Sequence, residues 1–523
     1  MSTNAHKPWS KALFDNFMGS APRWYKIGLL VLLVLNPLIF LMVGPYICGW
    51  LILIEFIATL TLALKCYPLL PGGLLAMEAT FMGLVSPETI LKEASHNFEV
   101  ILLLMFMVAG IAFMKEFLAW VFTKILFSTR SKINLSLMFC FAGAFLSAWL
   151  DALTVTAVMM AVALAFYEIY NSVSYEERVP GDYTESERRD LGRKDLAEFD
   201  GFLRNLLMHG AVGTALGGVS TIVGEPQNLI IGNLMGWSFI DFYLMMAHVS
   251  LPVLIAGLLT AIVVEKFRIF GYGYQLPERV RNVLKQHTER EKANMTRSDY
   301  LKLWAQGLAA IWLILGLALH LAAVGLIGLS VVILLANFTG KDEEHQIGHA
   351  FLEAMPFTAL LIVFFAIVGL IQSTELFKPI IAAALNTNGD QQLYAFFAAS
   401  GALSAISDNV FVATIYIQEA VKAFQSGLID RHQLDLLAIA INVGTNIPSV
   451  ATPNGQAAFL FLLTSGIASR IKLSYLTMLK LSIPYTIVLT TVALIFLNIN
   501  WLPHGEPHHR DLNPASSNSQ SGH

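Results

Sequence analysis

The chain has 523 residues, of which 56% are hydrophobic and only 13% charged, and its net charge is −4. Soluble globular chains carry about a quarter charged residues, so this composition excludes an ordinary soluble protein and indicates a membrane protein. The small net charge selects no partner, and we expect no nucleic-acid binding.

The first predicted element is a polar tail, residues 1–26, which is too polar for a signal peptide, so the apolar run 27–43 is predicted to be a retained first span. Further apolar runs approach or reach the length that crosses a bilayer as a helix, and the length rule predicts about 11 to 13 spans in an all-α polytopic membrane protein. A polar end, residues 502–523, is predicted to be disordered. The clearest further runs are 47–64, 101–120, 135–150, 152–170, 239–264, 303–321, 360–370, 436–447 and 481–498.

Basic residues are concentrated in three segments of the chain. Residues 1–26, 171–204 and 266–302 hold 19 of the 33 Lys and Arg residues. Because basic segments beside membrane spans stay in the cytoplasm, we expect all three there, including the N-terminus. The chain is therefore predicted to consist of a first transmembrane half, 27–265, with a cytoplasmic loop at 171–204, a cytoplasmic linker, 266–302, and a second half, 303–501.

Two short sequence blocks occur twice in the same order. L-S-A-x-x-D ends at Asp151 and again at Asp408, and V-G-T-x-x-x-x-V-x-T-x-x-G begins at Val212 and again at Val443. The offsets are 257 and 231 residues, so the first half carries 26 extra residues between its blocks, which we assign to the charged loop. The pattern predicts an internal duplication; the alternative is independent packing of small residues, which are common in membrane helices.

The second block of each half is rich in glycine and proline. This density predicts an interrupted helix, whose free backbone groups need a protected cavity. A matched pair of interrupted segments is typical of a transporter that binds its substrate near the middle of the bilayer. The residues concerned are Gly213, Gly217, Gly218, Gly224 and Pro226 in the first half, and Gly444, Pro448, Pro453 and Gly455 in the second.

Asp151 and Asp408 lie in apolar sequence, where a carboxylate costs at least about 2.5–3.5 kcal/mol and is a functional candidate by default. The alternative is that each lies at a helix terminus or among lipid headgroups. Ser147 and Ser404 precede them by four residues, so in a continuous helix each hydroxyl would share a face with its carboxylate.

Hard cations prefer oxygen ligands, and sodium is expected to accept carboxylate, hydroxyl, amide and backbone oxygens. Glu225, inside the first interruption, is a possible additional carboxylate, with a structural role as its alternative. For each Thr and Asn the alternative is a hydrogen bond to a backbone or to a neighbouring helix. The predicted sodium ligands are Asp151, Asp408, Ser147, Ser404, Thr214, Asn228, Thr445, Asn446 and Asn454.

Five other polar residues have no counterpart in the opposite half, and we expect them at the membrane interface or paired between helices. They are Glu55, Glu78, Glu419, His209 and His320. A phosphate-binding loop, a G-x-S-x-G turn and an H-E-x-x-H helix are absent from the sequence, which disfavours an ATP-driven transporter and an enzyme. The three cysteines lack metal-site spacing, and no cofactor is expected.

The paired blocks, with G-E-P-Q-N in the first half and A-T-P-N-G in the second, resemble NhaB-type sodium/proton antiporters over essentially the whole chain. The resemblance implies two inverted repeats with broken or re-entrant helices, a bacterial inner-membrane location, and a homodimer with elevator-like movement. It also implies electrogenic exchange of sodium or lithium for protons. The family's acidic position matches Asp151, with Asp408 as its partner in the repeat.

Two other functions are compatible with part of the pattern. The resemblance also implies membership of a wider ion-transporter group that includes arsenite, citrate and dicarboxylate permeases and has Ser-Asn-Thr triplets as its substrate signatures. A sodium-coupled carboxylate or oxyanion transporter of the same fold is disfavoured because Gly-Thr-Ala at 213–215 and Gly-Thr-Asn at 444–446 replace these triplets. An intramembrane aspartyl protease could use two aspartates. Neither aspartate has the sequence context of such enzymes, and the paired interruptions would have no explanation.

Overall fold

The computed structural model describes residues 8–174, 178–181, 183–341, 343–352, 354–379, 387 and 389–499. All regular elements in these residues are helices, which confirms the predicted fold class. The C-terminal segment predicted to be disordered, 502–523, lies outside the described residues, as do residues 1–7 of the N-terminal tail.

The helices follow one another with short connections through most of the described chain. A π-helical turn, Leu103–Met107, separates α6 from α7, and a 3₁₀ turn, Pro448–Ala451, follows α21. In chain order the α-helices are α1 (Trp9–Asn16), α2 (Arg23–Val43), α3 (Pro45–Thr61), α4 (Leu69–Phe81), α5 (Pro87–His96), α6 (Phe98–Leu102), α7 (Val108–Ala112), α8 (Lys115–Ser128), α9 (Lys132–Ser147), α10 (Ala152–Ser172), α11 (Glu185–Gly218), α12 (Pro226–Met235), α13 (Phe239–Phe267), α14 (Glu278–Asn294), α15 (Arg297–Ala318), α16 (Val324–Thr339), α17 (Glu344–Phe351), α18 (Met355–Ser373), α19 (Gly389–Ser404), α20 (Asn409–Gln425), α21 (Arg431–Asn446), α22 (Ala457–Thr464), α23 (Gly466–Arg470) and α24 (Tyr475–Leu497).

Seven of the described helices are long and apolar enough to cross a membrane, and an eighth span results if α5 and the helix that follows it form one bent span. Four shorter apolar helices, α3, α4, α9 and α16, add to these. The number of full-length apolar helices is thus lower than the predicted 11 to 13 spans, because several apolar runs fold as short or broken helices. The chain is an all-α, polytopic membrane protein.

The helices form two compact units. Unit 1 contains α1–α5 and α18, and unit 2 contains the chain from Glu99 to Ala354 together with α19–α24. In unit 1, α18 packs against α3, α4 and α5, while α2 packs against α3.

Unit 2 contains both copies of each repeated block. Helix α9 packs closely along α11 in the first half, and α19 packs along α21 in the second. The helices that follow are exchanged between the halves: α10 packs against α22, and α12 packs against α20. The segments singled out from the sequence therefore converge within one unit.

The charged segment predicted as a loop, 171–204, is helical from Glu185 onwards. Thr184 and Glu187 form a reciprocal capping box at the start of α11, and glutamate, arginine, lysine and leucine, which favour helices, carry it forward to Gly218. Most of the predicted linker, 266–302, is likewise helical as α14 and the start of α15.

Candidate ion-binding site

Asp151 and Asp408 occupy the same position in two broken helices. Asp151 is the N-cap of α10, where its carboxylate accepts a hydrogen bond from the Thr154 amide at 3.2 Å. Asp408 is the N-cap of α20 and accepts from the amides of Val410 at 2.8 Å and Phe411 at 3.3 Å. Asp151 is buried and Asp408 is half-buried.

This geometry corrects the expectation that serine and aspartate share one continuous helical face. Helix α9 ends at Ser147 and α19 ends at Ser404, and each aspartate begins the next helix. The physical reason is that an aspartate satisfies the free amides of a helix start better than it continues a helix. A helix terminus, the alternative stated for the aspartates, is thus their position, and the positive end of the helix dipole stabilises a carboxylate there.

Ser147 and Ser404 are both fully buried, and neither hydroxyl has a hydrogen-bond partner. A buried hydroxyl without a partner costs about 1–3 kcal/mol, so matched examples in two copies of a repeat need an explanation. Their oxygens remain available as ligands at the ends of α9 and α19.

The two interruptions lie in the segments that the glycine and proline density indicated, although the first glycine of each segment is still helical. Helix α11 continues through Gly213 to Gly218, and the break covers residues 219–225 before α12. In the second half α21 ends at Asn446, and the break, which includes the 3₁₀ turn, ends at Gln456.

The glycines inside α11 and α21 allow a neighbouring helix to approach closely, and they do not break the helix. A Cβ atom on Gly213 would lie 2.1 Å from the Cys140 carbonyl oxygen of α9. A Cβ atom on Gly444 would lie 2.8 Å from the Phe397 carbonyl oxygen of α19. The offset of 231 residues pairs Gly213 with Gly444, and the offset of 257 residues pairs Cys140 with Phe397. The same contact between helices therefore recurs in both halves.

A second contact also recurs. The Thr221 hydroxyl, in the first interruption, donates to the Ala148 carbonyl oxygen at 2.6 Å, in the break before Asp151. The Thr452 hydroxyl donates to the Ala405 carbonyl oxygen in the same way, in the break before Asp408. Each interruption is therefore tied to the aspartate break of its own half, which supports the predicted duplication.

Side-chain amides join the two halves directly. The Asn446 Nδ2 atom donates to Asn228 Oδ1 at 3.2 Å, and Gln227 Nε2 donates to Asn446 Oδ1 at 3.0 Å. Asn228 also closes the first interruption by donating to the carbonyl oxygens of Gly218 at 2.7 Å and Thr221 at 2.6 Å. The structure thus brings together the predicted ligands Asn228 and Asn446.

Glu225 is the residue in which the two interruptions differ most in chemistry. Its carboxylate is buried, its Oε1 atom has no hydrogen-bond partner, and it interacts electrostatically with both Asp151 and Asp408. The offset of the second block places Gln456 at the equivalent position. Gln456 donates to the Asn446 carbonyl oxygen and to Ser449 Oγ, both at 2.8 Å.

The remaining predicted ligands are less directly placed. The Thr214 hydroxyl donates to the Ala211 carbonyl oxygen at 2.8 Å, and the Thr445 hydroxyl to that of Ile441 at 3.0 Å, so both bond within their own helices. Asn454 is half-buried in the second interruption. Among the described residues, no group of three or more His, Cys, Asp or Glu side chains is arranged to hold a metal ion.

Gln227 and Gln456 were not among the predicted ligands. Gln227 lies within the quoted G-E-P-Q-N motif, and Gln456 directly follows A-T-P-N-G, where the offset between the repeated blocks pairs it with Glu225.

A separate polar cluster surrounds His209 of α11. Its ring nitrogens contact the Tyr485 hydroxyl at 2.6 Å and Glu265 Oε1 at 2.7 Å, while Lys132 Nζ lies 3.2 Å from the same carboxylate oxygen. His209 therefore pairs between helices, as expected. Its partners are far apart in the chain, and no local sequence signal identifies them.

Comparison with known proteins gives consistent matches. The family model described as bacterial Na⁺/H⁺ antiporter B (NhaB) matches residues 6–510. A Na⁺/H⁺ antiporter NhaB of Vibrio cholerae is 55% identical over 509 residues, covering 94% of this chain and 96% of that protein. One from Escherichia coli is 55% identical over 496 residues, covering 95% of this chain and 96% of that protein.

Two solved structures are more distant. The YdaH transporter of Alcanivorax borkumensis has a TM-score of 0.49 at 15% identity, covering 79% of this chain and 87% of that one. MtrF of Neisseria gonorrhoeae, described as one of a class of antimetabolite efflux pumps, has a TM-score of 0.44 at 13% identity, covering 78% of this chain and 83% of that one.

Proposed function

This chain belongs to the NhaB family of bacterial Na⁺/H⁺ antiporters and exchanges sodium ions for protons, and we propose that Asp151, Asp408 and Glu225 are the carboxylates that carry both ions. The observation that carries the proposal is the position of Glu225, which is buried, has an oxygen without a partner and interacts electrostatically with both aspartates. A buried group of carboxylates needs positive charge to compensate its negative charge.

That charge does not come from a basic side chain in the part of the chain that the structure describes. None of its ion pairs includes Asp151, Glu225 or Asp408. An ionised carboxylate away from water is costly unless a cation compensates it. Protons and sodium ions are therefore alternative ways to neutralise the same site.

Coupling follows from this competition. On one side of the membrane sodium binds as protons leave, with the hydroxyls of Ser147 and Ser404 and the amide oxygens of Asn228 and Asn446 as further ligands. On the other side reprotonation of the carboxylates expels the ion. Because several carboxylates can release more protons than the sodium ions they bind, we propose that the exchange is electrogenic. Lithium is a hard cation of the same charge, and we propose that it substitutes for sodium.

Everted membrane vesicles with a pH-sensitive dye test the exchange directly. We expect sodium and lithium, but not potassium, to collapse the proton gradient, and the apparent KM for sodium to fall as pH rises, because protons compete for the site. An apparent KM that does not change with pH would contradict the shared site. A requirement for an organic or arsenic-containing anion would indicate the anion transporter instead.

We also propose that the chain lies in the bacterial inner membrane with its N-terminus in the cytoplasm, and that the two halves have opposite orientations. The basic segments support the first point, and the recurring contacts support the duplication that the second requires. Ser186, before the first interrupted segment, and Leu428, before the second, are exposed, whereas the native cysteines are all buried.

Cysteine labelling of Ser186→Cys and Leu428→Cys in intact cells checks these orientations. We expect an impermeant reagent to label Leu428→Cys from outside and Ser186→Cys only after permeabilisation. Labelling of both from the same side would contradict the inverted arrangement. The homodimer is a further proposal, and native mass spectrometry of the purified protein tests it.

A further inference from the structure

Unit 1 contains a second pair of membrane carboxylates, apart from those of unit 2. Asn36 of α2 donates from Nδ2 to Glu55 Oε2 of α3 and to Glu78 Oε2 of α4, each at 2.8 Å. One amide nitrogen has two hydrogens, so one is directed at each carboxylate. Asn36 and Glu55 are buried, and Glu78 is half-buried.

The hydrogen bonds of this trio are incomplete. Asn36 Oδ1 and Glu55 Oε1 have no hydrogen-bond partner. Water does not supply one, because Asn36 is fully buried and Glu55 is only 5% exposed. A buried oxygen without a partner needs a hydrogen-bond donor or a cation. These two oxygens lie in a trio that contains two carboxylates, which indicates that a donor or a cation is missing.

No basic side chain in the described part of the chain supplies that cation. Its ion pairs include neither Glu55 nor Glu78. Helix α18, which packs against α3 and α4, has no titratable residue in its sequence. The other titratable group at the site is Cys48 of α3, whose thiol contacts the Asn36 carbonyl oxygen at 3.5 Å.

The backbone of α2 also has one carbonyl without its helical donor, three residues before Asn36 in the sequence. Pro37 lies inside α2 directly after Asn36, and since proline has no N–H group, the carbonyl of Leu33 loses its helical donor. For a cation to bind, the Asn36 amide would make a half-turn and give up its two hydrogen bonds to Glu55 and Glu78, so that oxygens of three side chains would face the cation. Oxygen atoms in this arrangement suit a hard cation or a shared proton.

We propose that Asn36, Glu55 and Glu78 form a second cation-binding site in unit 1, which holds one sodium ion or one proton. The shared chemistry is a single positive charge placed between two carboxylates and an amide oxygen. The site does not depend on the function proposed for Asp151, Asp408 and Glu225, because it uses other residues in the other unit.

The test uses the purified full-length chain in which Asp151→Asn, Glu225→Gln and Asp408→Asn have removed the carboxylates of unit 2. Binding of radioactive sodium and the infrared band of protonated carboxyl groups are measured in this background, and then after Glu55→Gln is added. Glu78→Gln, at the half-buried position, is a second variant in case Glu55→Gln lowers the yield of folded protein. The matched control is Glu88→Gln, the same change at an exposed position of α5.

If the site takes sodium, the background binds about one equivalent of sodium, which Glu55→Gln or Glu78→Gln removes and Glu88→Gln does not. If it takes a proton, sodium binding is absent and the same variants remove a protonated-carboxyl band. The proposal is overturned if neither signal depends on Glu55 or Glu78. Failure of the unit 2 site would instead appear as unchanged exchange in Asp151→Asn alone, so the two failures are distinguishable.

Discussion

The two interrupted segments of unit 2 make the same kinds of contact but differ in one ionisable side chain. In each, a threonine hydroxyl donates to a carbonyl oxygen in the break before an aspartate, and a glycine allows the preceding helix to approach its neighbour. At one equivalent position the first segment has Glu225 and the second has Gln456. The glutamate has a free oxygen, whereas the glutamine amide donates two hydrogen bonds that close its own break.

The difference indicates that the two halves divide their roles. The second interruption is held by an amide that is neutral at every pH and fixed by its partners. The first contains an ionisable group that can gain or lose a proton. The same set of contacts thus carries different charges in the two halves, and substitutions at equivalent positions should have unequal effects.

The largest effect is expected at the aspartate of the first half. Asp151→Asn keeps the side-chain shape and removes the titratable charge next to Glu225, so exchange in everted vesicles should fall to the level of vesicles without the protein. The exposed change Asp190→Asn in the same half is the matched control and should retain activity. Sodium-dependent proton movement with unchanged affinity and pH profile in Asp151→Asn would defeat the shared-site mechanism.

Exchanging the side chains of Glu225 and Gln456 tests the difference between the two halves directly. Glu225→Gln makes the first interruption resemble the second, and we expect strong loss of exchange with a weaker dependence on pH, because one ionisable group is gone. Gln456→Glu removes the amide donor from the Asn446 carbonyl oxygen and should not restore the activity of Glu225→Gln. Full activity in the double variant would show that the two positions are equivalent.

A smaller effect is expected at the aspartate of the second half. Asp408 is half-buried, so Asp408→Asn should weaken the apparent affinity for sodium about tenfold, equivalent to about 1.4 kcal/mol, without abolishing exchange. The measurement is the sodium concentration that gives half-maximal dye response. A loss as complete as in Asp151→Asn would mean that both aspartates are equally required.

Substitution of the glycines tests whether the recurring helix contact is equally close in both halves. A Cβ atom on Gly213 would meet a backbone oxygen at 2.1 Å, so Gly213→Ala should destabilise the protein by about 1–3 kcal/mol or more. On Gly444 the nearest atom, at 2.3 Å, is the Ser400 hydroxyl oxygen, which can rotate, so Gly444→Ala should cost less. Thermal unfolding measures both, and Gly28→Ala, with no atom within 4 Å of the added methyl group, is the control. Equal costs would contradict this ranking.

The sequence was informative wherever physical constraints are local. Apolar runs predict the membrane fold, and the repeated blocks indicate Asp151 and Asp408 as candidate site residues. Where a residue serves packing between helices, its type alone was misleading: Gly213 was interpreted as a helix breaker, yet it lies inside α11 and admits α9. The break before each aspartate is predicted only as an alternative, because the residues between Ser147 and Asp151 include neither glycine nor proline.

Contacts between distant segments could not be predicted in the same way. The hydrogen bond between Asn228 and Asn446 joins residues 218 positions apart, and the Gln227 contact depends on the same meeting of the two halves. The pairing of Glu225 with Gln456 is different, since the offset between the repeated blocks predicts it from the sequence alone.

The smallest effect concerns the extension that only the first half carries. Arg279 of α14 donates two hydrogen bonds to Asp195 of α11, at 2.6 and 3.1 Å, and this carboxylate raises the pKa of the guanidinium. Because Arg279 is about a third exposed, solvent screens the pair, and Arg279→Gln should cost about 0.2–1 kcal/mol, with the difference shrinking at high salt. Thermal unfolding at low and high salt measures this cost. Exchange activity should stay unchanged, since no group of the proposed site is touched; if it were lost, the charged extension would belong to the transport machinery, and the asymmetry between the halves would extend beyond Glu225.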